Sequence, residues 1–189
     1  MYNELFSKLL KALNNIGKKP IMAYGGYESI ILCNTNSPAR LYGVAQSVGY
    51  GEYRAITPVG GGMPVNKYYF LPTHCRMRFD DVARILSEHG YFSASKSEKE
   101  HALDYYRDIC NCGICHEIIR DDINGFSAYN DSIPYTVKTR NGILTKNRPT
   151  TDATLIAAIH FLNCKVFEWN YIENEDLSTV LDNLKSCYA

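Results

Sequence analysis

The chain has no surplus charge: 20 Lys and Arg are matched by 20 Asp and Glu over 189 residues. That balance excludes binding of nucleic acid through bulk positive charge, so any such contact has to come from a local patch. No apolar run approaches the roughly 20 residues of a membrane-spanning helix, and no membrane association is expected. The opening residues, MYNELFSKLLKALNNIGKKP, lack the unbroken apolar stretch and small-residue cleavage site of a secretory leader, which leads us to expect a cytoplasmic protein. Repeats and low-complexity segments are missing too. A content of 46% hydrophobic and 21% charged residues excludes disorder as the main state.

Cysteine and tyrosine are plentiful by contrast, at 7 and 15. In the cytoplasm thiols stay reduced, so clustered cysteines point to a metal or to catalysis rather than to disulfides. Cys110, Cys112 and Cys115 fall within six residues, as Cys-x-Cys-x-x-Cys. A short turn of this kind aims three thiolates at one point, and Gly113 is expected to relax it. Zinc takes tetrahedral sulfur and nitrogen ligands and needs a fourth. His116, His160, Cys164 or a more distant group could supply it. His116 adjoins Cys115, which makes joint ligation awkward, and His160 is preferred. Cys33, Cys75 and Cys187 are read as small hydrophobes.

Apolar periodicity predicts helices over residues 3–16, RFDDVARILSEHG, SEKEHALDYYRDI, TDATLIAAIHFLNCKVFEW and ENEDLSTVLDNLKSCY. KKPIMAYGGY and KYYFLPT read as strands. Residues 121–151 are polar and turn-rich, and are expected to be a loop. Alternating strand and helix over residues 18–95, followed by helices around that loop, predicts an α/β chain whose C-terminal part is helical and metal-stapled.

Further candidate chemistry is thinner. Gly60-Gly61-Gly62 is followed by no Lys-Ser/Thr and opens no helix, so a phosphate loop is not expected. His74 follows a strand end and could offer a substrate a hydrogen bond; a nucleophilic pair with Cys75 needs adjacent residues to face each other. Asp80 and Asp81 suit a helix first turn better than acid–base work. Lys138, Arg140, Lys146 and Arg148 form a basic run, either a solvated loop or a contact to phosphates. Tyr24, Tyr27, Tyr50, Tyr53, Tyr68 and Tyr69 either stack on a base or pack in half-buried strands.

The Cys-x-Cys-x-x-Cys followed by a helical His resembles the zinc site of the tRNA-guanine transglycosylases. RPTTDATLIAAIHFLNCKVFEW looks like that family's helix with the His ligand. GVAQSVGYGE resembles its Gly-rich strand end against the base, and KYYFLPTHCRMRFDDVARIL its next strand and helix. The order is the same over about residues 18–170. The resemblance implies partial TIM-barrel-like βα units over residues 1–100. It implies a zinc-binding helical subdomain over 101–189, with 121–151 as an insertion. Zinc on Cys110, Cys112, Cys115 and His160 is implied, as are substrate contacts from Gly49, Gly51 and Glu52, with His74 beside them. Where the family has its nucleophilic aspartate, this chain has Tyr91-Phe92-Ser93-Ala94-Ser95, and a barrel needs about 200 residues or more. The implied activity is exchange of guanine for a 7-deazaguanine in tRNA or DNA, with the aspartates supplied by a partner chain. The alternative is a non-catalytic zinc-binding module of a nucleic-acid-modifying complex. Half a barrel exposes edge strands, so a partner chain or homo-oligomer is expected.

Overall fold

The computed structural model describes residues 4–23, 25–45 and 67–186. In chain order it contains α1 (Glu4–Asn15), β1 (Ile21–Ala23), α2 (Tyr27–Ile31), β2 (Gly43–Ala45), β3 (Lys67–Phe70) and a 3-10 turn (Leu71–Thr73). Then come β4 (Cys75–Arg78), α3 (Phe79–Glu88), α4 (Glu98–Asp108), α5 (Gly113–Ile119) and a 3-10 segment (Ile123–Asn130). The hairpin strands β5 (Ser132–Thr139) and β6 (Gly142–Pro149), α6 (Thr151–Asn174) and α7 (Leu177–Ser186) complete it. This is a mixed α/β chain. The described residues form three separate two-stranded sheets and no closed barrel.

Two compact units divide the chain. One comprises residues 1–58 and 165–189. Here β1 and β2 pair in parallel, Met22 opposite Val44. Tyr27, Ile30 and Ile31 of α2 pack with Ile172 and Val180, and Leu10 packs with Cys33, Ala39 and Leu41. The amide of Asn34 donates to the carbonyls of Ile172 and Glu175, at 2.6 and 3.1 Å, and so satisfies two helix-end acceptors. Only part of the expected apolar face of α1 is used: Leu10 is buried, whereas Leu5 and Leu9 are exposed. The inward stripe runs through half-buried Phe6, buried Leu10 and half-buried Leu13, one helical step round from those two.

The second unit, residues 59–164, carries the largest core. β3 pairs antiparallel with β4, Tyr68 opposite Met77. A strand, crossover and parallel strand were expected here; Pro72 and the 3-10 turn instead fold the chain straight back, and CRMR (Cys75–Arg78) forms the missed strand. Tyr68, Tyr69 and Phe70 are buried, which answers the question of base stacking for the first two: their rings are core. Asp80 and Asp81 lie in the first turn of α3, favourable to its N-terminal end. A reciprocal cap starts α4: Ser97 Oγ accepts from the Glu100 amide while Glu100 accepts from the Ser97 amide.

The expected loop at 121–151 is not a loop. It holds the 3-10 segment, whose Ile123, Phe126 and Tyr129 are core residues, and then the β5–β6 hairpin. The apolar spacing of a 3-10 segment, three residues apart, matches neither of the periods that mark helix and strand. Gly125 permits its close approach to α5, because a Cβ there would lie 2.5 Å from the Ile118 carbonyl oxygen. Gly49, Gly51, Glu52, Gly60-Gly61-Gly62, Tyr24, Tyr50, Tyr53 and Cys187 lie outside the described residues.

Candidate metal centre

The three clustered cysteines sit where α4 gives way to α5. After Asp108 the amides of Ile109 and Cys110 both turn back to the Tyr105 carbonyl, and the chain leaves the helix. Cys112 is the extended residue before α5, and Cys115 lies in that helix's first turn. Gly113 starts α5 with neither a positive φ nor a crowded Cβ position, so the expected relaxation of the turn is not its role. Helix α6 delivers His160 from the other side of the core.

Nδ1 of His160 lies 3.4 Å from Cys112 Sγ, 3.5 Å from Cys115 Sγ and 3.9 Å from Cys110 Sγ. All four ligand atoms lie within 4.8 Å of one another, an arrangement that could hold a metal ion. A tetrahedral ion with bonds of about 2.3 Å to sulfur and about 2.0 Å to nitrogen sets those atoms roughly 3.5 Å apart, so the donors fit such an ion. Cys110, Cys115 and His160 are buried and Cys112 is half-buried. Four protein donors around one point leave no coordination position for substrate, which is the arrangement of a structural site.

His160 is held by more than its helix. Its Nε2 donates to the Tyr69 carbonyl of β3 at 2.8 Å, which fixes the tautomer and leaves the Nδ1 lone pair for the metal. The Tyr68 ring stacks on the imidazole with centroids 4.2 Å apart. The strand thus supplies both the clamp and the wall.

Around Cys115 stand three tyrosines that sequence reasoning did not connect with the site. Tyr105 Oη lies 3.3 Å, Tyr129 Oη 3.4 Å and Tyr68 Oη 3.8 Å from Cys115 Sγ, and the Tyr68 and Tyr105 hydroxyls bond each other. Burial first, then neighbouring thiols and hydroxyls, pushes all three phenols well above their ordinary range. They stay protonated and remain donors. The bond between Tyr68 and Tyr105 uses one of their two protons, which leaves two of the three hydroxyls to donate to Cys115; three thiolates and a neutral imidazole on a divalent ion would carry one net negative charge, and those donors would spread it.

Without metal the site has its own proton arrangement. Hydrogen bonds from Cys110, Cys115 and Cys164 hold the Cys112 thiol below its usual range, the only one of the clustered thiols lowered. Burial raises Cys115, and its bond to Cys112 raises Cys110. For His160 burial acts downward, but the Cys112 and Cys115 sulfurs outweigh it and lift the imidazole to about 9.

Other candidates fall elsewhere. His116 bonds Asn111 through Nε2 and stacks on Tyr106, away from the sulfurs. Cys164 lies one turn beyond His160, with Sγ 3.8 Å from both Cys110 Sγ and His160 Nδ1, as near the imidazole as Cys110 is, but it is not among the four donors that all lie within 4.8 Å of one another. Cys33 is buried, as a small hydrophobe should be, whereas Cys75 is exposed at the start of β4 with Thr73 Oγ1 at 3.1 Å. His74 ends the 3-10 turn in the left-handed region, φ 53°, on an antiparallel turn rather than at the end of a parallel strand.

One polar cleft of about 300 Å³ opens beside residues 89–108. The Tyr91–Ser95 stretch contributes to it, and α4 brings Asp104 and Asp108 there. Lys96 and Arg107 bind Asp104 at 2.5 and 2.9 Å. A hydrogen bond from Lys96 lowers the Asp104 carboxyl and one from Arg107 lowers Asp108. Both are therefore ionised at neutral pH and neither is a proton donor.

No helix among the described residues is long and apolar enough to cross a membrane. Comparison of the chain with family models, with curated proteins and with solved structures finds no match.

Proposed function

We propose that this chain is a zinc protein in which the ion is structural, and that it serves guanine/7-deazaguanine exchange in a nucleic acid together with a partner chain. The observation that carries the metal reading is the convergence of Cys110, Cys112, Cys115 and His160, with Nε2 of His160 clamped by β3. Zinc is the metal of choice for three thiolates and an imidazole in tetrahedral array. When bound, it supplies a cross-link between α5 and α6. The protein's own groups orient the imidazole, exclude water and spread the thiolate charge.

Support for transglycosylase-like exchange comes from the order of motifs, Gly-rich segment, KYYFLPT strand, RFDDVARIL helix, cysteine cluster and helical His. Support for a partner comes from α6, where Leu155, Ile159 and Leu162 lie exposed along one stripe at helical spacing. The partner is the source of the nucleophilic aspartate. A non-catalytic module is the competing reading, and the same closed metal site suits it equally.

Metal analysis of the purified chain, followed by labelled-guanine exchange into tRNA and into DNA, tests both parts. We expect one zinc per chain, no exchange by the chain alone, and exchange by the complex recovered with it at native levels. Zinc without exchange in any recovered complex establishes the non-catalytic module instead; a chain free of zinc removes the metal reading.

A further inference from the structure

The β5–β6 hairpin is unlike the rest of the second unit. Of its eighteen residues only Tyr135, Val137 and Pro149 are half-buried, and every other one is exposed. An isolated two-stranded ribbon is marginal in water, and this one has both faces open. Its charge is one-sided: Lys138, Arg140, Lys146 and Arg148, with no Asp or Glu between Ser132 and Pro149. The chain as a whole is neutral, so this is a local concentration of positive charge. Among the described residues none of the four is in an ion pair.

The register sorts the side chains. Ile133, Tyr135 and Val137 share a face with Arg148, Lys146 and Leu144, directly opposite them across the ladder. Arg148 lies over the Tyr135 ring, 6.0 Å from its centroid. Lys138 is on the other face, opposite Ile143, and Arg140 is in the connecting turn closed by Thr139 and Gly142. Cations therefore stand on both faces and at the tip, with apolar side chains between them.

We propose that this hairpin is a nucleic-acid arm that enters the major groove of duplex DNA. A ribbon of two strands about 4.8 Å apart, with side chains on both sides, matches a groove about 12 Å wide. Its eight-residue strands extend about 26 Å, enough to lie across the duplex. The A-form major groove of RNA is too deep and narrow to admit it. A protein that adds a strand to the ribbon is disfavoured, because Pro134 and Pro149 each remove a backbone donor. As a statement about binding the proposal stands on the hairpin alone; as a statement about which polymer undergoes base exchange, it rests on the reading given above.

The test is fluorescence anisotropy of a labelled 20-base-pair DNA duplex with the full-length zinc-loaded chain over a series of salt concentrations, with an RNA duplex of the same sequence alongside. Four phosphate contacts give a slope of log K against log salt of about −3.6, which is roughly a 150-fold loss between 50 and 200 mM. Replacing Lys138, Arg140, Lys146 and Arg148 together by Ser should abolish both the affinity and the slope while zinc content stays unchanged. A second variant replaces residues 133–148 by a short Gly-Ser link. The Thr150 amide bonds the Asp131 carbonyl at 2.9 Å at the hairpin base, so the ends are already together. Binding lost in either folded variant, with DNA preferred over RNA, supports the arm. Equal or tighter RNA binding, undiminished binding by the variants, or no DNA binding at low salt overturns it. Zinc content and guanine exchange are read separately, so failure here is distinguishable from failure of the metal or exchange reading.

Discussion

Replacing Tyr129 by Phe isolates the contribution of the tyrosine cage to metal binding. The substitution removes one oxygen and leaves the ring, which meets Tyr68 edge-on at 5.1 Å and Phe126 at 5.7 Å. No cavity opens in the aromatic cluster. What is lost is one donor to the Cys115 sulfur, at 3.4 Å. A hydrogen bond to a charged group is worth about 1.5–3 kcal/mol, and the long sulfur contact with two further hydroxyls nearby puts this one at the low end. About 1.4 kcal/mol is tenfold in affinity, the lower bound of what outer hydrogen bonds contribute at metal sites. Competition with a chromophoric chelator should therefore show zinc held about tenfold more weakly in Tyr129→Phe, with one ion per chain still bound at saturation. Cobalt in place of zinc reports the same loss as a shift in its sulfur-to-metal absorption. An affinity within twofold of the parent would falsify the claim that the phenol donates to the thiolate, and Tyr129 would then be only a core aromatic.

Cys164→Ser should retain one metal per chain, because its sulfur falls outside the four donors that lie within 4.8 Å of one another, whereas His160→Ala should lose or loosen it; equal loss in both, by elemental analysis, would make Cys164 a ligand. In the reduced metal-free protein one thiolate should absorb in the ultraviolet at mildly acidic pH and vanish in Cys112→Ser, since Cys112 is held below the usual thiol range. Its partner is the His160 imidazolium, raised from 6.5 to about 9. A raised cation stabilises the metal-free fold fully below 6.5 and ceases to do so as pH rises through about 9, so urea midpoints should fall over that window; flat midpoints between those limits contradict the pairing. Gly125→Ala drives a Cβ into the Ile118 carbonyl and should cost about 1–3 kcal/mol in urea unfolding; a midpoint unchanged from the parent would show that the two elements can move apart at that point.

The convergence of Cys110, Cys112, Cys115 and His160 was legible in the sequence because a metal site is a demand on residue type at short spacing. Three sulfurs within six residues can converge through local backbone geometry alone, and one His on a strongly apolar helix is the simplest complement. The helices were legible for a similar reason: RFDDVARILSEHG carries its period, and Ser97 with Glu100 marks the start of α4. What failed was long-range or of another period. CRMR was missed as a strand since nothing local announces that Tyr69 will pair with Arg76. The 3-10 segment repeats its apolar residues every three positions, a spacing that neither strand nor α-helix shares.

The tyrosines show why the second layer of the site lay beyond sequence reasoning. Tyr68, Tyr105 and Tyr129 come from a strand, a helix and a 3-10 segment, and only packing of the core brings their hydroxyls to one sulfur. Read singly, each is an aromatic residue suited to a core or a stacking surface; the surplus of tyrosine over phenylalanine, 15 against 7, was the one signal available. A purely apolar core is served as well by phenylalanine. A buried phenol costs free energy unless its hydroxyl is paired, so several buried tyrosines imply buried acceptors. Here the acceptor within reach is the Cys115 sulfur, and under the proposed metal reading, in which that sulfur is anionic, the choice of Tyr over Phe at these core positions follows from its chemistry.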